Sequence, residues 1–253
     1  MLKTRLIARL DIKGPNLIKS IRFEGLRVLG NPHEFAKKYY DDGIDEIIYV
    51  DTVATLYERV GIHNLLKETV KDTFIPITAA GGIRSIEDVD SLLRSGADKV
   101  AINTAAVRNP QLITQVSNKF GSQCTVISIE ACKQSNGQWE VYTDNGRERT
   151  GIDVVEWSKK VSNIGAGEIL LTSVDQDGTQ KGFDGELIHS VSSSVPIPVI
   201  ASGGVGTLEH LSEGIKIGGA SAVLAASIFH YGKFSIQQAK EYLASKDVQV
   251  RIK

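Results

Sequence analysis

The chain has 253 residues, 42% hydrophobic and 23% charged, and its 29 Lys+Arg against 30 Asp+Glu leave a formal net charge of −1. That length admits one large α/β domain or two small ones, and the balanced charge argues against a nucleic-acid surface. No run of 18 apolar residues occurs, which excludes a helical membrane span, and the opening Met1-Leu-Lys-Thr-Arg-Leu-Ile7 lacks a signal peptide's apolar region and cleavage site, so a cytoplasmic protein is expected.

In chain order, eight apolar strand-like runs stand out: Arg5–Asp11, Glu46–Asp51, Ile75–Ala80, Lys99–Asn103, Thr125–Glu130, Glu168–Thr172, Ile197–Ser202 and Ala222–Ala226. Amphipathic helical patterns lie between them. One covers Ile86–Ser95, opened by Ser85 as an N-cap and closed by Gly96; others lie near Pro110–Phe120, Val154–Ile164, Leu208–Ile217 and Ile236–Leu243. Eight β-then-α units in this length predict a single (β/α)8 barrel over residues 1–253, with an open doubly wound sheet as the rival. No linker or low-complexity segment divides the chain. The longest connections, Ile12–Gly30 and Ala131–Gly151, read as loops after the first and fifth strands, at the end where barrel enzymes place their active sites.

The segment Ile75-Pro-Ile-Thr-Ala-Ala-Gly-Gly82 nearly recurs as Ile197-Pro-Val-Ile-Ala-Ser-Gly-Gly204, 122 residues later. That spacing predicts two related halves, about 1–122 and 123–253. Each copy runs a strand into a glycine pair, where no Cβ keeps an anion from the backbone N–H groups. One anion site then combines Gly81-Gly82 with Asn103-Thr104, and a second combines Gly203-Gly204 with Ala226-Ser227 and Asp177-Gly178. Lys19, in the first long connection, is a candidate phosphate clamp or simply a solvated side chain. Two sites on one face imply a small-molecule substrate with a phosphate at each end.

Strand alternation puts Arg5, Ile7, Arg9 and Asp11 on one face of the first strand, with Asp11 at its C-terminal end. The corresponding fifth strand ends in Glu130. Two carboxylates on opposite walls of the mouth, between two anion sites, suit general acid/base catalysis; alternatively each pairs with a loop cation or a backbone N–H. At the other end, Arg5, Glu46, Lys99 and Glu168 each begin a strand. Pointing inward they form a charged ring able to gate a small polar molecule; pointing outward they form an ordinary rim of ion pairs. Cys124 and Cys132 match no metal-ligand spacing, and His33, His63, His189, His210 and His230 are scattered, so neither metal nor cofactor is expected.

Taken with Ile102-Asn-Thr-Ala-Ala106, Phe120-Gly-Ser-Gln123, Gly165-Ala-Gly-Glu-Ile-Leu-Leu-Thr-Ser173, Asp175-Gln-Asp-Gly-Thr179 and Leu224-Ala-Ala-Ser-Ile-Phe-His230, these features resemble the cyclase subunit family of imidazole glycerol phosphate synthase, over the whole chain. The resemblance implies a heterodimer with a glutaminase docked on the barrel floor. Ammonia would pass a gate of Arg5, Glu46, Lys99 and Glu168 and cross the lumen. At the mouth it would attack a bisphosphorylated ribulosyl formimino carboxamide ribotide. The products would be imidazole glycerol phosphate and aminoimidazole carboxamide ribotide. Four departures cluster at the chemical end: Glu130 where the family carries Asp, Arg9 where it carries a small uncharged residue, Lys13-Gly-Pro-Asn16 for its Lys-Asp-Gly-Arg, and Arg22 for its Asn. Such departures fit a divergent paralogue of the kind found with surface-sugar gene clusters, supplying ammonia to a sugar amidotransferase, or a non-catalytic scaffold that activates a glutaminase.

Overall fold

Alternation along the first strand separates two cores. In the computed structural model, which describes residues 3–21, 24–54 and 61–252, β1 (Arg5–Lys13) turns Leu6, Ala8 and Leu10 to the outer apolar layer and Ile7 to an inner cluster. A period of two does this for every strand, because successive side chains leave opposite faces. The inner cluster draws on all eight barrel strands, from Ile7 through Ile48, Ala80 and Ala101 to Val126, Leu170, Ile200, Ala222 and Leu224. Only a closed sheet brings those positions together. Each buried Ile or Leu adds roughly 1.5–3 kcal/mol to the drive for closure.

The barrel strands are β1, β4 (Glu46–Asp51), β5 (Ile77–Ala80), β6 (Lys99–Ile102), β7 (Thr125–Lys133), β10 (Glu168–Ser173), β11 (Val199–Ser202) and β12 (Ala222–Ala225). Each pairs in parallel with the next, and β12 returns to β1 through Arg5↔Ala222 and Ile7↔Leu224. The chain is a (β/α)8 barrel, as expected. The helices are α1 (Pro32–Asp41), α2 (His63–Thr69), α3 (Ile86–Arg94), α4 (Thr104–Arg108), α5 (Gln111–Phe120), α6 (Val154–Asn163), α7 (Gly185–Ser192), α8 (Leu208–Lys216), α9 (Ser227–His230) and α10 (Ile236–Ser245). Their starts follow local chemistry: Ser85 and Asp88 form a reciprocal capping box on α3, and Ser235 and Gln238 form another on α10.

The two long connections are not irregular loops. Residues after β1 fold back as β2 (Asn16–Ile21) and β3 (Glu24–Gly30); those after β7 form β8 (Trp139–Thr143) and β9 (Glu148–Asp153). Both pairs continue the barrel strand as an antiparallel ribbon, through Asp11↔Ile18 on one side and Glu130↔Tyr142 on the other. This pairing carries β1 and β7 past the ends expected at Asp11 and Glu130. Conversely, β5 and β11 begin two residues later than expected, because Pro76 and Pro198 have no N–H to give a ladder. Their carbonyls still accept, from Ile47 N at 3.1 Å and Ile169 N at 3.0 Å. Arg22 lies outside the described residues.

Candidate active site

At the N-terminal end of the barrel, the four strand-start charges face inward and close a ring. Arg5 Nη1 donates to Glu46 Oε2 at 2.7 Å and Arg5 Nη2 donates to Glu168 Oε1. Lys99 Nζ reaches Glu46 Oε1 at 3.0 Å and Glu168 Oε2 at 3.0 Å. Thr78 Oγ1 adds a bond to Glu46 Oε1 at 2.9 Å. Glu46 is fully buried, whereas the Arg5 and Lys99 side chains remain 28% and 18% exposed. Two cations and two carboxylates therefore satisfy one another at the edge of solvent, the arrangement under which buried charge is tolerated.

At the C-terminal end, Arg9 lies on the same face of β1 as Asp11, and its Nε donates to Asp11 Oδ1 at 2.7 Å, both residues buried. Lys19 is not solvated. The β1–β2–β3 ribbon turns it inward, with Nζ 3.8 Å from Asp11 Oδ2 and 3.9 Å from Asp177 Oδ2. Burial opposes charge on Asp11, but Arg9 and then Lys19 outweigh it and hold the carboxyl below its usual range. Glu130, from the opposite wall, has a different setting. Its Oε2 accepts from Gly146 N at 2.8 Å, and burial pushes its carboxyl up from 4.5 to about 7, against the smaller pull of that N–H and of Arg9. Behind Asp11, the Nδ1 of His230 meets the Tyr39 hydroxyl at 2.6 Å, and burial lowers the imidazole from 6.5 to about 4, leaving it neutral.

The glycine pairs both end strands at the mouth. Gly81 and Gly82 take φ of 100° and 72°, and Gly203 and Gly204 take 97° and 103°. A Cβ on Gly81 would strike the Asp51 carbonyl, and one on Gly203 would sit 2.8 Å from the Ser173 carbonyl, so only glycine fits. Asn103 and Ala226, the next strand ends, share an uncommon backbone (φ/ψ −116°/−87° and −131°/−74°) that turns each chain into a short helix.

A cavity of about 280 Å³ opens between Gly81-Gly82, Asn103-Thr104 and Glu130. The Gly203-Gly204 side is much tighter: about 20 Å³ remain among Asp177, Gly178, Gly204, Ala226 and Ser227, with Arg9 and Lys19 also lining it. The structure thus brings every candidate mouth residue to one of two adjoining hollows, except Asp11, which lines neither.

Sequence reasoning missed part of the larger hollow. Arg84, Arg108 and Asn145 line it. Asn145 sits in a left-handed turn at the tip of the β8–β9 ribbon, donates to the Thr52 carbonyl at 2.5 Å, and so folds the tip across the mouth. Next to it Asp144 binds Arg108 at 3.0 Å and the Thr104 hydroxyl at 3.1 Å. The Asp144-Asn-Gly146 tripeptide is a hairpin signal that would have placed this tip. Among the described residues no cluster of His, Cys, Asp and Glu could hold a metal ion, and no helix is long and apolar enough to cross a membrane.

Residues 5–235 match the family model described as Histidine biosynthesis protein. The chain belongs to this histidine biosynthesis family. It is similar to the imidazole glycerol phosphate synthase subunit HisF of Legionella pneumophila, 62% identical over 212 residues that make up 84% of this chain and 100% of that protein. The family match takes in the whole charged ring, both glycine pairs, Lys19 and both mouth carboxylates, so the histidine biosynthesis family is defined over the same barrel that carries the candidate site.

Proposed function

We propose that the chain is the cyclase subunit of an imidazole glycerol phosphate synthase, a lyase-type enzyme of histidine biosynthesis acting in the cytoplasm. The observation that carries this reading is the 62% identity to such a subunit, supported by a barrel mouth with two hollows at the glycine pairs and two carboxylates. The substrate is a bisphosphorylated ribulosyl formimino carboxamide ribotide, its ends held by the two glycine-pair hollows. One phosphate takes the Gly82, Asn103 and Thr104 side, near Arg84 and Arg108. The other takes the Gly178, Gly204, Ala226 and Ser227 side, against Lys19 and Asp177. Ammonia adds to the chain between them, and Asp11 and Glu130 stand where protons must move for ring closure and cleavage.

A glutaminase subunit docked at the N-terminal face supplies the ammonia, and Arg5, Glu46, Lys99 and Glu168 gate its entry into the lumen. The same reading takes residues 1–122 and 123–253 as copies of one half-barrel, supported by the matched carbonyls of Pro76 and Pro198 and the matched turns at Asn103 and Ala226. Purified protein should convert the bisphosphorylated substrate with ammonium salt, without any partner, into imidazole glycerol phosphate and aminoimidazole carboxamide ribotide. Absence of both products would overturn the cyclase reading. With a glutaminase subunit present, Lys99→Ala should change glutamine-driven turnover far more than ammonium-driven turnover. Equal effects on both would remove the gate.

A further inference from the structure

Asp11 and Glu130 lie near the C-terminal ends of β1 and β7, yet their oxygens meet opposite surroundings. Both oxygens of Asp11 face cations: Arg9 Nε at 2.7 Å on Oδ1 and Lys19 Nζ at 3.8 Å from Oδ2. A protonated carboxyl has to donate an O–H, and Asp11 would have to aim it at a group that is itself a donor. Protonation there breaks an interaction and makes none. Glu130 uses only Oε2, on Gly146 N at 2.8 Å. Among the described residues Oε1 has no hydrogen-bond partner, and the side chain lines the 280 Å³ hollow, so a proton on it has somewhere to go.

The charge count agrees. The groups facing Asp11 are Arg9 on its own strand, Lys19 from β2 and His230 from α9; those facing Glu130 are Arg9, Asp144 from the ribbon tip and Asp177 from beyond β10. Arg9 and Lys19 balance Asp11 and Asp177. Arg108 balances Asp144, and among the described residues no cation is bonded to Glu130; burial first, then Asp144 and Asp177, weigh against its charge. Arg9 is the residue that decides which of them stays neutral, because it is bonded to one and only near the others.

We propose that Arg9 is a positioning residue that gives the two mouth carboxylates different work: it fixes Asp11 as a standing carboxylate that orders Lys19, and leaves Glu130 as the one group that exchanges protons with substrate. The identity of the substrate rests on the cyclase reading above; the state of the two side chains does not. Neutral Glu130 gives its Oε1 proton to the leaving fragment, and the carboxylate left behind takes a proton from the reacting chain, so the carboxyl ends each cycle as it began. Asp11 holds the cations that meet the second phosphate and carries no proton.

The test is a carboxyl titration by 13C NMR of the full chain labelled in Asp and Glu side chains, with Asp11→Asn and Glu130→Gln assigning the two signals. Between about pH 8 and about pH 5 Glu130 should titrate while Asp11 stays ionised. Arg9→Gln, which keeps N–H donors and removes the charge, should raise the midpoints of both. Arg9→Lys should restore the wild-type order if Arg9→Gln folds poorly. Asp11 titrating in that window in the wild type, or midpoints indifferent to Arg9→Gln, would overturn the proposal. The second arm is turnover of the bisphosphorylated substrate against pH at constant free ammonia. It should show one ionisation near neutrality that moves up by about 1 unit or more in Arg9→Gln and vanishes in Glu130→Gln. A wild-type enzyme with no turnover at all would count against the cyclase reading, while the titration still decides the role of Arg9.

Discussion

The two ends of the barrel each gather buried charge, and they handle it differently. On the floor, Arg5, Glu46, Lys99 and Glu168 pair in a closed ring, each cation touching both carboxylates, with Thr78 satisfying a remaining lone pair. At the mouth, two cations meet three carboxylates, only one contact is a direct hydrogen bond, and the Lys19 contacts lie near 4 Å. In the closed set every charge has a bonded partner of opposite sign. An open set leaves one member undecided, and here that member is Glu130, brought to about 7. Matched charge favours structure and passage; a buried carboxyl with no cation bonded to it is a group ready for proton transfer at neutral pH.

The largest way to break this contrast is to open the floor ring. Glu46→Ala removes the acceptor shared by Arg5, Lys99 and Thr78 and strands two cations beside one carboxylate. Breaking a buried network by removing one partner costs about 3–5 kcal/mol, and the partial exposure of Arg5 and Lys99 places this case near the lower end. Urea denaturation at pH 7 reads the loss directly. A change below about 1 kcal/mol would show that the ring is a solvated rim.

Next comes the mouth. Glu130→Gln keeps the shape, accepts from Gly146 N through its amide oxygen, and cannot carry a proton. Turnover with ammonium should fall by about 10²-fold or more, the range for loss of a general acid/base, or roughly 2.7 kcal/mol of transition-state stabilisation. The loss should be in kcat with KM little changed, since the anion hollows remain. An undiminished kcat would assign the proton transfers elsewhere.

These contrasts were partly legible in the sequence. The four strand-start charges stood out in the sequence with an inward ring and an outward rim both open, and the structure turns them inward. The glycine pairs followed from a repeat long enough to stand out. The two ribbons did not, since Ile12–Gly30 and Ala131–Gly151 mix polar, apolar and turn residues without a clean alternation, although β2 and β8 each pair on both sides. Arg84, Arg108 and Asn145 escaped for a related reason: each is an ordinary surface residue by type, placed at the hollow by the turn after Gly82, the short helix α4 and the ribbon tip respectively. Lys19 stood as a candidate clamp with a solvated side chain as the alternative. A lone lysine in a polar connection offers both readings, and only the ribbon that folds β2 back on β1 brings its Nζ to 3.8 Å from Asp11 Oδ2.

The smallest expected effect separates two groups at the mouth that hide each other. Glu130 has a folded value raised from 4.5 to about 7, so the native state holds more protons than the unfolded chain between those pH values. Its contribution to stability is full below about 4.5 and is lost as pH rises through about 7. His230 has a folded value lowered from 6.5 to about 4, so the unfolded chain binds more protons in that window, and its contribution is full above about 6.5 and is lost as pH falls through about 4. The two slopes are opposite over about pH 4.5 to 6.5 and of similar size. In wild-type protein they nearly cancel, so these two groups together leave stability flat there. Glu130→Gln removes one slope and exposes the other. Its unfolding free energy should climb by about 2 kcal/mol from pH 4.5 to pH 6.5, after allowance for the partial exposure of the imidazole. Glu130→Gln with His230→Gln should be flat again. A single mutant with the same pH profile as wild type would mean that Glu130 is already ionised at pH 5 in the folded protein, and the mouth would then be as closed in its charge as the floor.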